Sequence, residues 1–368
     1  MRLLFLSLMM MVMNELSAQE NYLLIGTYTG KNSEGIYVYK FDTSTGSMEK
    51  VSSIMTENPS YLAVSKDKKF VYSVNENGSN KGGVSAFSFD ESTGKLEKLN
   101  SQLSHGDHPC YISIDNSGKW IVAGNYSGGN FSVYPVNEDG SLGEAAQIIK
   151  HTGSGANKER QEKSHVHSVV FSPDGKYLAV ADLGTDKLYM YPFDASAVKP
   201  VAEKAVENAT APGAGPRHII FHQTLPYAYT IEEMSGKVSA YSVLHDGTLK
   251  NIQTITSHPK GYKGDIGSAA IKISKDGKSL YASNRGESNT IAAFAIEQTT
   301  GKIKTQKIVN SGGKAPRDFT IDPTDKFILT ANGGSDNITI LKRNSQTGIP
   351  EDIGKQVAIP QPVCLVFF

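Results

Sequence analysis

One pattern restarts at Pro59, Pro109, Val166, Pro216, Ser268 and Pro316, and its opening returns alone at Pro362, so the spacing runs from 46 to 57 residues. A period of this length restricts the chain to architectures in which like units pack side by side, because one unit cannot bury its own apolar faces. The fullest copy reads PSYLAVSKDKKFVYSVNE, a variable loop, then GVSAFSFDESTGKLEKL, from Pro59 to Leu99. Its four short apolar runs, punctuated by SKDKK and DESTGK, predict four antiparallel strands joined by turns. No segment with a helical period competes with that reading.

The seventh copy is split between the ends of the chain. NYLLIGTYTG and IYVYKFDTSTGSM, near the N-terminus, lack a first strand, and QPVCLVFF, at the C-terminus, is a first strand with nothing after it. Joining them completes a unit and removes the open edges that a row of sheets would otherwise present. The expected fold is all-β: a seven-bladed β-propeller of four-stranded antiparallel blades, one domain over residues 19–368, closed by pairing its terminal strands. Ahead of it, MRLLFLSLMMMVMNELSA has one basic residue, an apolar run from Leu3 to Met13 and small residues before Ala18. That run is too short to span a bilayer, so residues 1–18 read as a signal peptide and the protein as periplasmic or secreted. No cysteine near Ala18 offers a lipid anchor, and no other run is long enough for a membrane span.

Charge narrows the partners. With 37 basic and 37 acidic residues, the chain has no electrostatic excess to recruit nucleic acid. Nothing in the sequence calls for an obligate protein partner. The two cysteines, Cys110 and Cys364, fall in non-neighbouring repeats and are expected to be unbridged.

The repeat also supplies an internal control: what the architecture requires recurs in every blade, whereas a residue present in one blade needs another reason. At the second position of each first strand stand Val363, Ser60, Cys110, His167, Arg217, Ala269 and Arg317. The penultimate position of each second strand reads Thr27, Asn75, Asn125, Asp182, Glu232, Asn284 and Asn332, polar throughout and therefore structural at first reading. The next position reads Tyr28, Glu76, Tyr126, Leu183, Glu233, Arg285 and Gly333. Antiparallel pairing sets the start of a first strand beside the end of the second, so the two variable rings share the mouth of the central channel.

That mouth collects His167, Arg217, Glu233, Arg285 and Arg317, with Glu76, Tyr28 and Tyr126 as rim groups. Arginines converging on one pocket suit an anion, Glu233 or His167 suits activation of water, and Arg or backbone N–H donors suit an oxyanion. Together they fit hydrolysis of an ester in a small anionic substrate; the plainer alternative is an ion-pair network that only closes the channel. His165 and His167 form a His-X-His pair without an evident third metal ligand. The Asn and Asp ring offers oxygen ligands for calcium, but the reading includes no metal and no cofactor. Cys110 lacks a dedicated base and is not taken as a nucleophile. His105, His108, His151, His218 and His222 read as surface or turn residues.

The segments IGTYTG, NYSGGNFSVYP, HVHSVVFSPDGKYLAVADLG, GPRHIIFH and ASNRGESNTIAAF resemble the propeller-type 6-phosphogluconolactonases of bacteria, a family that also takes in fungal carboxy-muconate cyclases. The resemblance covers nearly the whole chain after residue 18. It implies a metal-independent lactonase acting on a sugar lactone, with a catalytic cluster on His167, Glu233, Arg217 and Arg285. The chain departs from the family at Glu232, where an Asn is usual, and at Glu287, where His is frequent; both add negative charge near the mouth. A non-catalytic propeller binding a carbohydrate or a protein through the same mouth is the alternative.

Overall fold

Alternation of apolar and polar residues gives each strand two faces, and stacking sheet on sheet around a ring is how this chain buries both. In the computed structural model, which describes residues 20–30 and 32–368, twenty-eight strands form seven four-stranded antiparallel sheets, and no helix occurs among the described residues. The signal-peptide reading of residues 1–18 lies outside the described residues. Blades are numbered here from the N-terminus. Their inner strands are β28 (Pro362–Phe367), β4 (Leu62–Val64), β8 (Pro109–Ile114), β12 (Val166–Phe171), β16 (Pro216–Phe221), β20 (Ser268–Ile273) and β24 (Pro316–Ile321).

Blade one is built from both ends, as expected. β28 pairs antiparallel with β1 (Glu20–Thr27), with Leu24 opposite Val366 and Ile25 opposite Leu365. Gly26, opposite Cys364, has no room for a side chain: a Cβ there would overlap the Pro59 carbonyl oxygen, so β1 approaches the start of blade two backbone to backbone. The core lies between blades. Leu23, Ile25, Tyr39 and Phe41 of blade one pack on Phe327, Leu329 and Ile340 of blade seven, and the Phe41 and Phe327 rings meet edge to face at 5.7 Å. The closure is therefore sealed by side chains as well as by backbone pairing. Cys110 and Cys364 are both free and buried.

The pairing registers explain how the inner strands present side chains to the channel. In β8, β12, β16 and β24, the first residue pairs with the penultimate-ring residue, such as Pro216 with Glu232, and the register then slips by one. The residues left unpaired are Cys110, His167, Arg217 and Arg317. A β-bulge at this point bends the strand and re-aims the extra side chain, so the ring chosen from the repeat is a ring of bulges.

Candidate active site at the channel mouth

The penultimate ring does the work of a bracket. Asn125 Nδ2 donates to Ser104 O at 2.9 Å, Asn284 Nδ2 to Ser257 O at 2.9 Å and Asn75 Nδ2 to Glu57 O at 2.7 Å. Each acceptor lies on the connector arriving from the preceding blade, so these amides hold the connectors down. Glu232 hydrogen-bonds Ser239 Oγ at 2.6 Å and also Ser235, away from the charged cluster. The next residue in each blade donates its backbone N–H to the residue just before the start of a repeat, as Glu233 does to Gly215 O at 2.8 Å and Arg285 to Gly267 O at 3.0 Å. This bond fixes where the second variable ring projects.

Four of the chosen residues meet directly. Glu233 Oε2 lies 3.0 Å from Arg217 Nε, 2.8 Å from Arg285 Nη2 and 3.9 Å from His167 Nε2. The Arg217 contact is an ion pair without hydrogen-bond alignment, since its Nε–H finds no acceptor in line. Burial alone would raise the Glu233 carboxyl, but Arg285 and Arg217, then His167 and Arg160, outweigh it and hold the group well below the usual carboxylate range. Burial, then Arg285 and Arg317, lower Arg217 to about 10, and it stays cationic at neutral pH. Its side chain is only 2% exposed against 22% for Arg285, so Arg217 underpins Glu233 while Arg285 faces the opening. Arg285 is also pinned through Nε–H to Gly267 O at 3.0 Å.

Burial first, and Arg217 second, push His167 well below 6.5, so it is neutral. Its Nδ1 lies 3.5 Å from Cys110 Sγ. Burial and the charge of Glu76 raise the Cys110 thiol to about 12, which leaves it inert as a nucleophile. Arg317 lies in a second group at the mouth. Its Nη2 sits 3.5 Å from Glu76 Oε2, with its guanidinium 5.5 Å from the Tyr28 ring, and Tyr28 donates to Glu76 at 2.9 Å. The ring closes on itself, so blade seven faces blades one and two rather than Glu233. Tyr126 joins the Glu233 side, stacked on His165 and edge-on to His167 at 5.3 Å.

Sequence reading missed Arg160. Its Nη2 donates to Glu233 Oε1 at 2.7 Å and lies 3.4 Å from the Tyr126 hydroxyl. It rides on residues 151–165, the longest connector between blades, and that length was its only signal. The sequence also misjudged two histidines. His151 and His218 are buried away from any turn, His151 bridging Asp182 and Tyr191 and His218 lying against Arg217 Nη1 at 3.1 Å, whereas His222 is a buried turn residue that accepts from Leu225 N at 3.1 Å. Of the His-X-His pair, His165 is committed to Tyr126 O at 3.0 Å and Glu162 at 3.2 Å. Among the described residues, no three His, Cys, Asp or Glu side chains gather as a metal-holding group.

Burial and the nearby arginine charge also push His218 well below 6.5. Both His167 and His218 therefore take up protons more readily in the unfolded chain than in the folded one. Their contribution to stability is complete above about pH 6.5 and is lost as the pH falls below it, each with a slope approaching ~1.4 kcal/mol per pH unit. Denaturant melts at pH 7.5 and 5.5 should show this loss, and His218→Phe should reduce the slope. Equal stability at the two pH values would contradict it.

Residues 22–367 match the family model described as lactonase, 7-bladed beta-propeller. The 6-phosphogluconolactonase of Bacillus subtilis is 36% identical over 345 residues, 93% of this chain and 97% of the relative. That of Formosa agariphila is 36% identical over 342 residues, 92% of this chain and 96% of the relative. Among solved structures, the periplasmic gluconolactonase of Pseudomonas aeruginosa superposes with a TM-score of 0.90 at 35% identity, covering 95% of this chain and 99% of its own.

Proposed function

The chain belongs to the lactonase family of seven-bladed β-propellers and is a lactonase; we propose that it opens an anionic sugar lactone, 6-phospho-D-glucono-1,5-lactone, to 6-phosphogluconate at the channel mouth. The observation that carries this reading is Glu233, ionised although buried and met by three guanidinium groups beside a neutral histidine. In this mechanism His167, whose Nε2 at 3.9 Å from Glu233 Oε2 is too far for a direct hydrogen bond to the carboxylate, holds the water beside Glu233, and Oε1 is the oxygen that takes its proton. Glu233 takes the proton as the water oxygen bonds to C1. The negative charge that develops on the carbonyl oxygen is stabilised by Arg285, a donor already fixed in place. Collapse breaks the bond from C1 to the ring oxygen, which recovers a proton, and the acid product ionises in water.

The charge balance supports an anionic substrate. Among the ion pairs of the described residues, Arg160, Arg217, Arg285 and Arg317 meet two carboxylates, Glu76 and Glu233, leaving a net positive cluster. The added carboxylates do not reverse this, since Glu232 is turned toward serines and Glu287 is exposed. A neutral gluconolactone is the second reading, favoured by the leader-like residues 1–18 and by the periplasmic gluconolactonase among the neighbours. The same two observations favour a periplasmic or secreted location.

The test is hydrolysis of a sugar-lactone panel by the full chain in excess chelator, corrected for spontaneous ring opening. Activity should survive the chelator. Rates no higher than spontaneous opening would instead leave a non-catalytic binding propeller. Arg285→Ala should lower kcat by about 10²–10³ on phosphorylated and neutral lactones alike, as loss of an oxyanion donor does.

A further inference from the structure

The two oxygens of Glu233 are held differently. Oε2 is shared by Arg217 and Arg285, whereas Oε1 is met by Arg160 alone among the hydrogen bonds and ion pairs of the described residues. Arg160 also differs in exposure, its side chain being 47% exposed against 9% for Glu233. A half-exposed guanidinium with one strong contact is weakly held, because water and salt compete for it. Buried Arg217 has no such freedom.

The backbone that carries Arg160 is, in contrast, locked. Asp182 ties down both ends of residues 151–165: its Oδ2 lies 2.9 Å from His151 Nδ1 and accepts from Ser164 Oγ at 2.6 Å, and its Oδ1 accepts from His165 N at 2.8 Å. Where most other blades carry Asn, a carboxylate that only accepts suits three converging donors. Next to Arg160, the fully buried Gln161 donates to Leu183 O at 2.8 Å and Asp186 Oδ1 at 2.7 Å, and its Oε1 receives Asn157 N at 2.9 Å. Gly184 adds to the clamp, since a Cβ there would overlap the Lys163 carbonyl oxygen. Motion is thereby confined to the Arg160 side chain, on a base that returns it to the same place.

We propose that Arg160 is the specificity-determining residue of the site: it caps Glu233 Oε1 in the empty mouth and moves to the anionic group of an arriving substrate, which frees Oε1 to accept the proton from water. The assignment rests on the lactonase reading above. It links recognition to chemistry, because an anionic ligand is what draws the guanidinium away, and a carboxylate that loses one of its donors becomes more basic. A neutral lactone has nothing to offer Arg160 in exchange and meets a capped base. The other candidate anion holder at the mouth, Arg317, is more buried and already paired with Glu76 and Tyr28.

The test uses the full chain and its Arg160→Ala and Arg160→Lys variants with 6-phosphoglucono-1,5-lactone and glucono-1,5-lactone. Arg160→Ala should raise KM for the phosphorylated lactone about tenfold or more, as loss of a charge-assisted contact does, and raise kcat/KM for the neutral lactone, which then meets an uncapped base. Arg160→Lys should restore part of the preference. Equal losses on both lactones would overturn the proposal. If the wild-type chain hydrolyses neither, the lactonase reading fails separately, and calorimetric binding of glucose 6-phosphate and uncharged glucose still decides the role of Arg160. Selective weakening of glucose 6-phosphate in Arg160→Ala supports it; parallel changes, no change, or no wild-type binding of glucose 6-phosphate overturns it.

Discussion

A chain ending at Gln361 should lose the whole ring, not one blade. Removing the last seven residues strips blade one of its inner strand and exposes the edge of β1, where Leu23, Leu24 and Ile25 are fully buried. It also deletes Val363, Cys364 and Leu365, each buried, and opens the clusters that join blade one to blades seven and two. Burying a side chain of this kind contributes about 1.5–3 kcal/mol, so three of them approach the ~5–15 kcal/mol that a folded domain has in reserve. A propeller with one incomplete blade has two free edges and no way to spread the loss. Circular dichroism and size exclusion should report loss of the cooperative melt and association of the truncated chain. A peptide of residues 362–368 added in trans should partly restore the transition. Leu365→Ala, by comparison, should cost about 2–5 kcal/mol and leave a folded ring. A truncated chain that melts like the full one would refute the account of closure.

Glu233→Gln should be the most damaging single change to activity. The substitution keeps shape and removes charge, so the base is lost while the pocket is kept, and kcat should fall by about 10²–10⁴ on every lactone that is hydrolysed. The same change strands Arg217, whose side chain is 2% exposed, without its counter-charge. Breaking a buried pair from one side costs about 3–5 kcal/mol, so the melting temperature should fall as well. Glu76→Gln is the control: it sits in the separate group with Arg317 and Tyr28, and its effect on kcat should be far smaller. A Glu233→Gln rate within threefold of wild type would exclude Glu233 as the base.

The variable rings were legible because each is defined by a strand position, and antiparallel pairing converts equal positions into equal heights on the channel. His167, Arg217, Glu233 and Arg285 could therefore be grouped without coordinates. The bulges at His167 and Arg217 were not legible, since a one-residue slip leaves no mark in an alternating pattern of six residues. Arg317 was placed in the correct ring, but its pairing with Glu76 and Tyr28 was not legible, because blade order describes a line and the molecule closes that line into a circle. His218 occupies a channel-facing position beside the bulged Arg217, and its burial depends on Tyr61 and Tyr111, which arrive from blades two and three. Arg160 lies in a connector that has no counterpart in other blades, so the comparison that revealed its neighbours could not reach it.

The sequence by itself determined the seven-fold register, the split blade and the ring positions, because turns and strand alternation are short-range properties repeated often enough to be read. It also separated the polar positions present in all blades from the reactive ones present in one. Only the tertiary structure decided which charges meet: that Glu233 takes Arg217 and Arg285 on one oxygen and Arg160 on the other, and that Arg317 turns to Glu76 instead. Charge pairing acts through space between residues brought together by ring closure and by an irregular connector, and neither distance is encoded in the local pattern along the chain.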